Sequence, residues 1–304
     1  MKRLDGFGLI LNYMATMPET LSNLPAWQTL TAIDDPSRSI PGVEFRNVDF
    51  AYDDCVILND VSFIVLPGET LLVLGGSGGG KSTILKLGIG LLKPDDGKIL
   101  IEGEDVTDYD EEALNIVRQK IGMDFQDGAL FDSLSVYDNV AFRCHENRVP
   151  EEQVEAEVRR LLSFVDLENA IDMMPAQLSG GMRIRVGIAR ALAGKPRIIL
   201  LDEPTTGLDP PTARAICELA VKLRDLRDVS SIFVTHGLEN VRFMTSTYTC
   251  VDDQGTAVFM NESDRLCLIN TKIMMLHEGR VIFLGSDEEL LKSEDPYIKH
   301  FLLL

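Results

Sequence analysis

The sequence is short of several things. It holds one tryptophan (Trp27), four histidines and only 29 Lys+Arg against 48 Asp+Glu, a formal charge of −19. Nucleic-acid scaffolds hold phosphate with Lys and Arg that displace counterions, so a deficit of this size argues against that class. It argues equally against attachment through anionic lipid headgroups, which repel such a charge. No stretch approaches the roughly 18 apolar residues a membrane-spanning helix requires, so direct membrane insertion is not expected. The five cysteines (Cys55, Cys144, Cys217, Cys250, Cys267) are odd in number, form no CxxC pair and match no zinc spacing. They read as reduced thiols rather than a disulfide framework or a metal module. Met1-Lys2-Arg3 followed by Phe7–Ala15 faintly imitates a signal peptide. However, Asp5, Gly6, Gly8 and Asn12 interrupt it and no small-residue cleavage site is clear, so the expected address is cytoplasmic.

What is present is ordinary for a folded protein: 304 residues, 45% hydrophobic and 25% charged. That length suits about two domains, or one domain with a sizeable insertion. Residues 1–40 are rich in Met, Pro, Ser and Thr and read as an N-terminal extension with one short helix around Leu9–Met17. From Val43 the texture changes. Val43-Glu44-Phe45, Val61–Leu66 and Leu71–Leu74 read as strands, and a helix is expected over Ser82–Leu92. Ile121–Phe125, Ile198–Leu201 (then a helix from Pro211) and Ser231–Thr235 (then Leu238–Phe243) continue the alternation. Strands alternating with helices predict a mostly parallel α/β sheet. The stretch from Phe125 to Pro196 reads as mainly helical, with Val154, Val158, Leu161, Leu162 and Val165 on one face. A hairpin is expected at Ile273–Leu276 and Val281–Leu284, then a capping box, Ser286 with Glu289, opening a last helix. Thr245–Thr271 has mixed patterning and reads as an insertion without an assigned element.

Gly75-Gly76-Ser77-Gly78-Gly79-Gly80-Lys81-Ser82 fits G-x-x-x-x-G-K-[ST] between a strand and a helix. Glycines let successive backbone amides curl round a phosphate where side chains would block the approach. Lys81 supplies a point charge, Ser82 a hydroxyl for Mg²⁺, and the helix aims its positive dipole end at the same anion. Downstream, Ile198-Ile199-Leu200-Leu201 runs into Asp202-Glu203. Adjacent carboxylates at a strand's carboxyl end suit phosphoryl transfer, with Asp202 holding Mg²⁺ through its water shell and Glu203 polarising the attacking water.

Leu178-Ser179-Gly180-Gly181-Met182, followed by an Arg-rich helix ending Ala189-Arg190-Ala191-Leu192, narrows the choice. With the other motifs this segment resembles the signature of the ABC (ATP-binding cassette) ATPases, over about Val43 to Gly285. The resemblance implies a P-loop NTPase fold, with a RecA-like, mostly parallel sheet core, an antiparallel β subdomain and an inserted α-helical signature subdomain at about 127–195. It makes 41–304 one ATPase domain, with a probable insertion at about 245–271. It implies ATP and Mg²⁺ as cofactors and ATP hydrolysis as the reaction. By the same resemblance, Tyr52 would stack on adenine, and Gly75, Gly76, Ser77, Gly78, Gly79, Gly80, Lys81, Ser82 and Thr83 would hold the phosphates. Gln126 would contact Mg²⁺ and sense a membrane partner, and His236 would contact the γ-phosphate. Ser179, Gly180 and Gly181 would close over ATP on a second copy, with Asp209 of Thr206-Gly207-Leu208-Asp209 in the dimer contact. Two chains would thus sandwich two nucleotides in a two-fold homodimer. Met182 stands where the family most often has glutamine and Gly237 where it has aspartate; neither touches the phosphate-binding atoms, so hydrolysis remains expected.

Gly128-Ala129-Leu130-Phe131 and Ser135–Phe142, with Leu-Ser-Gly-Gly-Met at 178–182, resemble the Mla/Mce-type lipid-transport branch of that family. The resemblance implies a subunit held at the inner face of the membrane by an integral-membrane permease, with a lipid-binding Mce-type protein in the same complex.

Overall fold

The computed structural model describes residues 40–125, 128–227, 229–251, 257–261 and 270–303. The expected helix at Leu9–Met17, the Trp27 region, Gln126 and Cys267 lie outside these residues.

The chain begins with two long strands, β1 (Val43–Tyr52) and β2 (Cys55–Val65), paired antiparallel through a tight turn. Inward-facing Val43, Phe45, Val48, Leu58, Val61 and Phe63 alternate with exposed residues, the period-2 pattern of a sheet wet on one face. β3 (Thr70–Gly75) then runs into α1 (Lys81–Gly88). The helix stops short of the expected Leu92. Gly90 adopts φ 67, and the Leu91 and Leu92 amides both fold back onto the Lys86 carbonyl. A left-handed glycine after the last turn ends the helix, while the apolar run continues only as packing. β4 (Asp96–Ile101) and β5 (Glu104–Asp105) complete an antiparallel sheet in the order β2-β1-β4-β5.

After α2 (Glu111–Arg118), β6 (Ile121–Asp124) leads into helices α3 (Val136–Glu146), α4 (Glu151–Phe164) and α5 (Gly180–Leu192). Val154, Val158, Leu161 and Leu162 form the buried face of α4, as the spacing predicts. β7 (Ile198–Asp202), α6 (Pro210–Arg227), β8 (Ser230–Val234) and α7 (Leu238–Ser246) follow. The unassigned stretch contains β9 (Thr247–Val251) and β10 (Ala257–Asn261), an antiparallel pair set against α6. β11 (Thr271–His277) and β12 (Arg280–Gly285) form the expected hairpin, and α8 (Asp287–Leu291) and α9 (Pro296–Leu302) close the described chain. Ser286 and Glu289 make the expected capping box.

The central sheet has the order β12-β11-β3-β8-β7-β6, parallel except for β12. β3, β7 and β8 are buried at every position, as strands covered on both faces must be. Alternate residues feed two cores. Leu72, Leu74, Ile199, Leu201 and Phe233 face α3–α6, while Leu71, Val73, Ile198, Leu200, Ile232 and Val234 face α1 and the antiparallel sheet. The register aligns the carboxyl ends: Val73 opposite Val234, Asp202 opposite Val234, Asp124 opposite Leu201 and Gly75 opposite Leu276. In open α/β sheets that edge is where ligands bind.

Candidate functional site

β3 ends at Gly75 against Leu276 of β11, and the chain turns at once through Gly76–Gly80 into α1. A side chain at Gly75 would lie 2.4 Å from the Leu276 carbonyl oxygen. At Gly80, φ is 92 and a Cβ would lie 2.7 Å from Leu58 Cδ2 and 3.0 Å from the Ile57 carbonyl oxygen. Close approach therefore excludes side chains at both ends of the loop, and Gly80 also needs the left-handed backbone. The loop delivers the unpaired amides and positive dipole end of α1 to one point, which suits an anion.

Lys81, 5% exposed, lies beneath this loop. Its Nζ donates to the Gly75 oxygen at 3.0 Å and the Gly76 oxygen at 2.9 Å, and stands 3.6 Å from Glu203 Oε1. Ser82 Oγ donates to Asp202 Oδ1 at 2.8 Å, and Thr83 is buried behind them. Burial pushes the Asp202 carboxyl above its usual range; the neighbouring Glu203 adds to this, while the Ser82 hydrogen bond, Lys86 and Lys81 oppose it. A hydroxyl and a carboxylate meeting at an anion-binding helix terminus form a hard-oxygen set, and it fits a Mg²⁺ ion brought in with a phosphate chain.

Glu203 follows Asp202 in the left-handed region, φ 48, with its amide donating to the Val234 carbonyl at 3.1 Å. That conformation is costly for a residue with a side chain, and the sheet edge imposes it. Glu203 Oε2 accepts from Thr206 Oγ1 at 3.0 Å and stands 3.4 Å from His236 Nδ1. The structure thus brings Lys81, Ser82, Asp202, Glu203 and His236 to one sheet edge.

The other expected residues lie apart. Tyr52 ends β1, 46% exposed and edge-on to Phe50 with ring centroids 4.8 Å apart. Ser179 caps α5 by accepting from the Met182 amide at 3.3 Å. Gly181 fits so closely that a Cβ would lie 2.1 Å from Thr212 Cγ2. Asp209 accepts from Thr212 Oγ1 at 2.8 Å and the Thr212 amide at 3.2 Å, and these bonds lower its carboxyl pKa. Among the described residues no hydrogen bond joins Ser179–Gly181 to the phosphate loop.

Residues 58–206 match the family profile described as "ABC transporter". The "Intermembrane phospholipid transport system ATP-binding protein MlaF" of Haemophilus influenzae is 35% identical over 261 residues, 86% of this chain and 89% of that relative. The chain belongs to the ABC transporter ATPases.

This cassette is also 34% identical to a "Probable ribonucleotide transport ATP-binding protein mkl" of Mycobacterium leprae, over 90% of the chain and 72% of that relative. It is 38% identical to a "Methionine import ATP-binding protein MetN" of Brucella abortus, over 74% of the chain but only 61% of that relative's length. Among solved structures, cbiO1 from Clostridium perfringens, part of the cbiONQ transporter complex, aligns with a TM-score of 0.70 at 28% identity, covering 87% of this chain and all of that one. The ATP-binding cassette MJ0796, a dimer bound to ADP and Pi, aligns with a TM-score of 0.66 at 30% identity over 80% of this chain and 98% of that one. The cassette is an ATP-hydrolysing P-loop enzyme, and the fold is the one its motifs imply.

Sequence reasoning missed two neighbours of this site. Tyr297 of α9 stacks on His277 with centroids 3.6 Å apart, and its hydroxyl lies 3.4 Å from where a Gly76 Cβ would stand. Nothing in the motif pattern links a C-terminal tyrosine to a loop two hundred residues earlier. Asp124 is the second: it sits in the run Ile121–Phe125 that reads as a plain apolar strand, yet it is a carboxylate only 1% exposed. That one polar letter was the available signal.

Proposed function

We propose that the chain is the ATP-binding and hydrolysing subunit of a lipid transporter of the Mla/Mce type, working as a homodimer that closes on ATP and drives a membrane permease. The observation that carries this reading is the near end-to-end match with a phospholipid-transport ATPase, covering 89% of that relative. The Gly128–Phe142 segment supports it by exposing Phe131 and Phe142, 4.8 Å apart, on the helical subdomain. An exposed aromatic pair suits a protein partner. In this reading the subunit sits at the cytoplasmic face, reached through the permease, with a lipid-binding Mce-type protein in the same complex.

The geometry of the described residues supports the following roles, and the motif resemblance supplies that of Gln126. Tyr52 offers its exposed ring to adenine, and the amides of Gly75–Gly80 with Ser77, Ser82 and Thr83 bind the phosphates. Lys81 neutralises developing charge on the β/γ oxygens. Glu203, held by Thr206 and beside His236, orients the attacking water, and His236 steadies the γ-phosphate. Ser82, Asp202 and Gln126 would hold the metal, which would supply charge neutralisation for the phosphate chain. Ser179, Gly180, Gly181 and Asp209 act across the dimer on the partner's nucleotide, and loss of the γ-phosphate opens it. Residues 1–40 are assigned as an extension, 41–304 as the ATPase domain with its helical part at about 127–195, and about 245–271 as an insertion.

A Glu203→Gln variant is expected to retain ATP and accumulate as a closed dimer; unchanged steady-state hydrolysis would remove Glu203 from its assigned role. Purification of the native complex from detergent-solubilised membranes tests the cargo. A permease with an Mce-type lipid-binding protein supports lipid transport, whereas a permease with a methionine- or nucleotide-binding protein assigns the cassette to another importer or exporter. Recovery with a membrane protein that moves no substrate would make it a mechanical or signalling ATPase.

A further inference from the structure

Asp124 ends β6 with a carboxylate that is 1% exposed, and among the described residues neither of its oxygens has a hydrogen-bond partner. Its place is built. Gly187 of α5 leaves the room it occupies: a Cβ there would lie 2.2 Å from Asp124 Oδ1, and 3.0 Å from the Gly128 Cα. Leaving a buried carboxyl unpaired is expensive, so its retention in a strand of apolar neighbours calls for a partner in some other arrangement.

Burial pushes the Asp124 carboxyl well above its usual range; of the charged groups acting on it, Arg190 favours the ionised form and Asp202 on the adjoining strand opposes it. Arg190 lies one turn beyond Gly187 on α5. Its Nη1 donates to the Ala129 oxygen at 2.9 Å and its Nη2 to the Gly128 oxygen at 2.9 Å, with the guanidinium 5.4 Å from the centre of the Phe131 ring. This half-buried guanidinium therefore bonds one set of acceptors and lies near a second. One is the carbonyl pair at Gly128 and Ala129; the other is a carboxylate on the catalytic sheet. A charge-assisted, two-pronged bond to a carboxylate is stronger than bonds to neutral carbonyls, so an ionised Asp124 can compete with the carbonyl pair for this guanidinium.

We propose that Asp124 is a positioning residue that exchanges for the Gly128 and Ala129 carbonyls as the acceptor of Arg190, tying helix α5 to the central sheet in one of two arrangements. Arg190 stands near the C-terminus of α5, and Ser179–Gly181 stand at its N-terminus. The exchange therefore sets where the signature turn sits relative to the strand ends that carry Lys81, Asp202 and Glu203. The inference rests on ATP hydrolysis by the cassette, and it is independent of the cargo.

The test compares full-length wild type with Asp124→Leu, Asp124→Asn and Arg190→Lys, measuring thermal unfolding together with kcat and KM for MgATP. Leucine keeps the branching of aspartate and removes the unpartnered polar atoms, which offsets the bulk of its methyls, so Asp124→Leu should melt near the wild-type temperature. Its kcat should nevertheless fall by about tenfold with KM within about twofold, the pattern of a lost transition-state arrangement. Asp124→Asn, which keeps an acceptor for Arg190, should recover part of that loss. In the Arg190→Lys background the further effect of Asp124→Leu should shrink, since residues acting as a unit are not additive. Wild-type turnover in a stable Asp124→Leu variant would overturn the proposal. So would a kcat loss that merely tracks lost folded protein, or fully additive effects of the two sites.

Discussion

At the residue scale the candidate site is built from a few closely held residues. Lys81 is buried with its ammonium between two loop carbonyls and Glu203, so an uncharged side chain of the same length would fill its place but lose the charge. Lys81→Met should lower turnover by at least about a hundredfold, read by phosphate release, while leaving the fold intact by circular dichroism. Gly80 is constrained differently, by its φ of 92 and by Leu58 and Ile57. Gly80→Ala should destabilise the protein by about 1–3 kcal/mol in denaturant titration and weaken nucleotide binding, because both strain and collision fall on the loop. Both residues are legible in the sequence, since the motif names them. Asp124 and Tyr297 are not: each matters through a contact with an element distant along the chain.

At the element scale the segment that resisted assignment is held by one buried residue. Arg224 of α6, 3% exposed, donates to the Met244 oxygen at 2.9 Å, Thr247 oxygen at 2.8 Å and Thr271 Oγ1 at 2.6 Å. It also pairs with Asp225, whose Oδ2 accepts from the Thr249 amide at 2.7 Å. The β9–β10 pair is thus clamped to α6 and to the start of β11. Arg224→Met should cost about 3–5 kcal/mol in urea unfolding, because Asp225, two carbonyls and the Thr271 hydroxyl lose their buried partner. A second element, the β4–β5 hairpin, carries a pH signature. The Thr107 hydroxyl and Lys98 hold the Asp105 carboxyl down at about 2, against an ordinary value of 3.8. A depressed pKa means this contribution is complete above about pH 4 and is lost as pH falls toward 2. The stability difference between wild type and Asp105→Asn should therefore narrow over that window, as seen by thermal melting at each pH.

At the scale of the whole molecule, a chain of charge −19 performs phosphate chemistry. The arrangement removes the conflict: backbone amides, a helix dipole and one buried lysine make the anion site, so the surface can stay acidic. No helix among the described residues is long and apolar enough to cross a membrane. The chain alone should accordingly fail to sediment with anionic phospholipid vesicles, and should sediment only with vesicles that carry the permease complex. Binding to bare vesicles would contradict attachment through a protein.

The sequence by itself determined the family, the phosphate loop, the acid pair and the alternation of strands and helices, because these depend on local spacing and on side-chain types that chemistry restricts. Tertiary structure alone decided the rest. The parallel register brings Gly75, Asp202 and the chain before His236 to one sheet edge, although long stretches of sequence separate them. Helix α5 packs its Gly187 onto Asp124, and α9 returns Tyr297 to the loop. Neither contact leaves a periodic trace, since a single residue meeting a distant element sets no repeat in the chain.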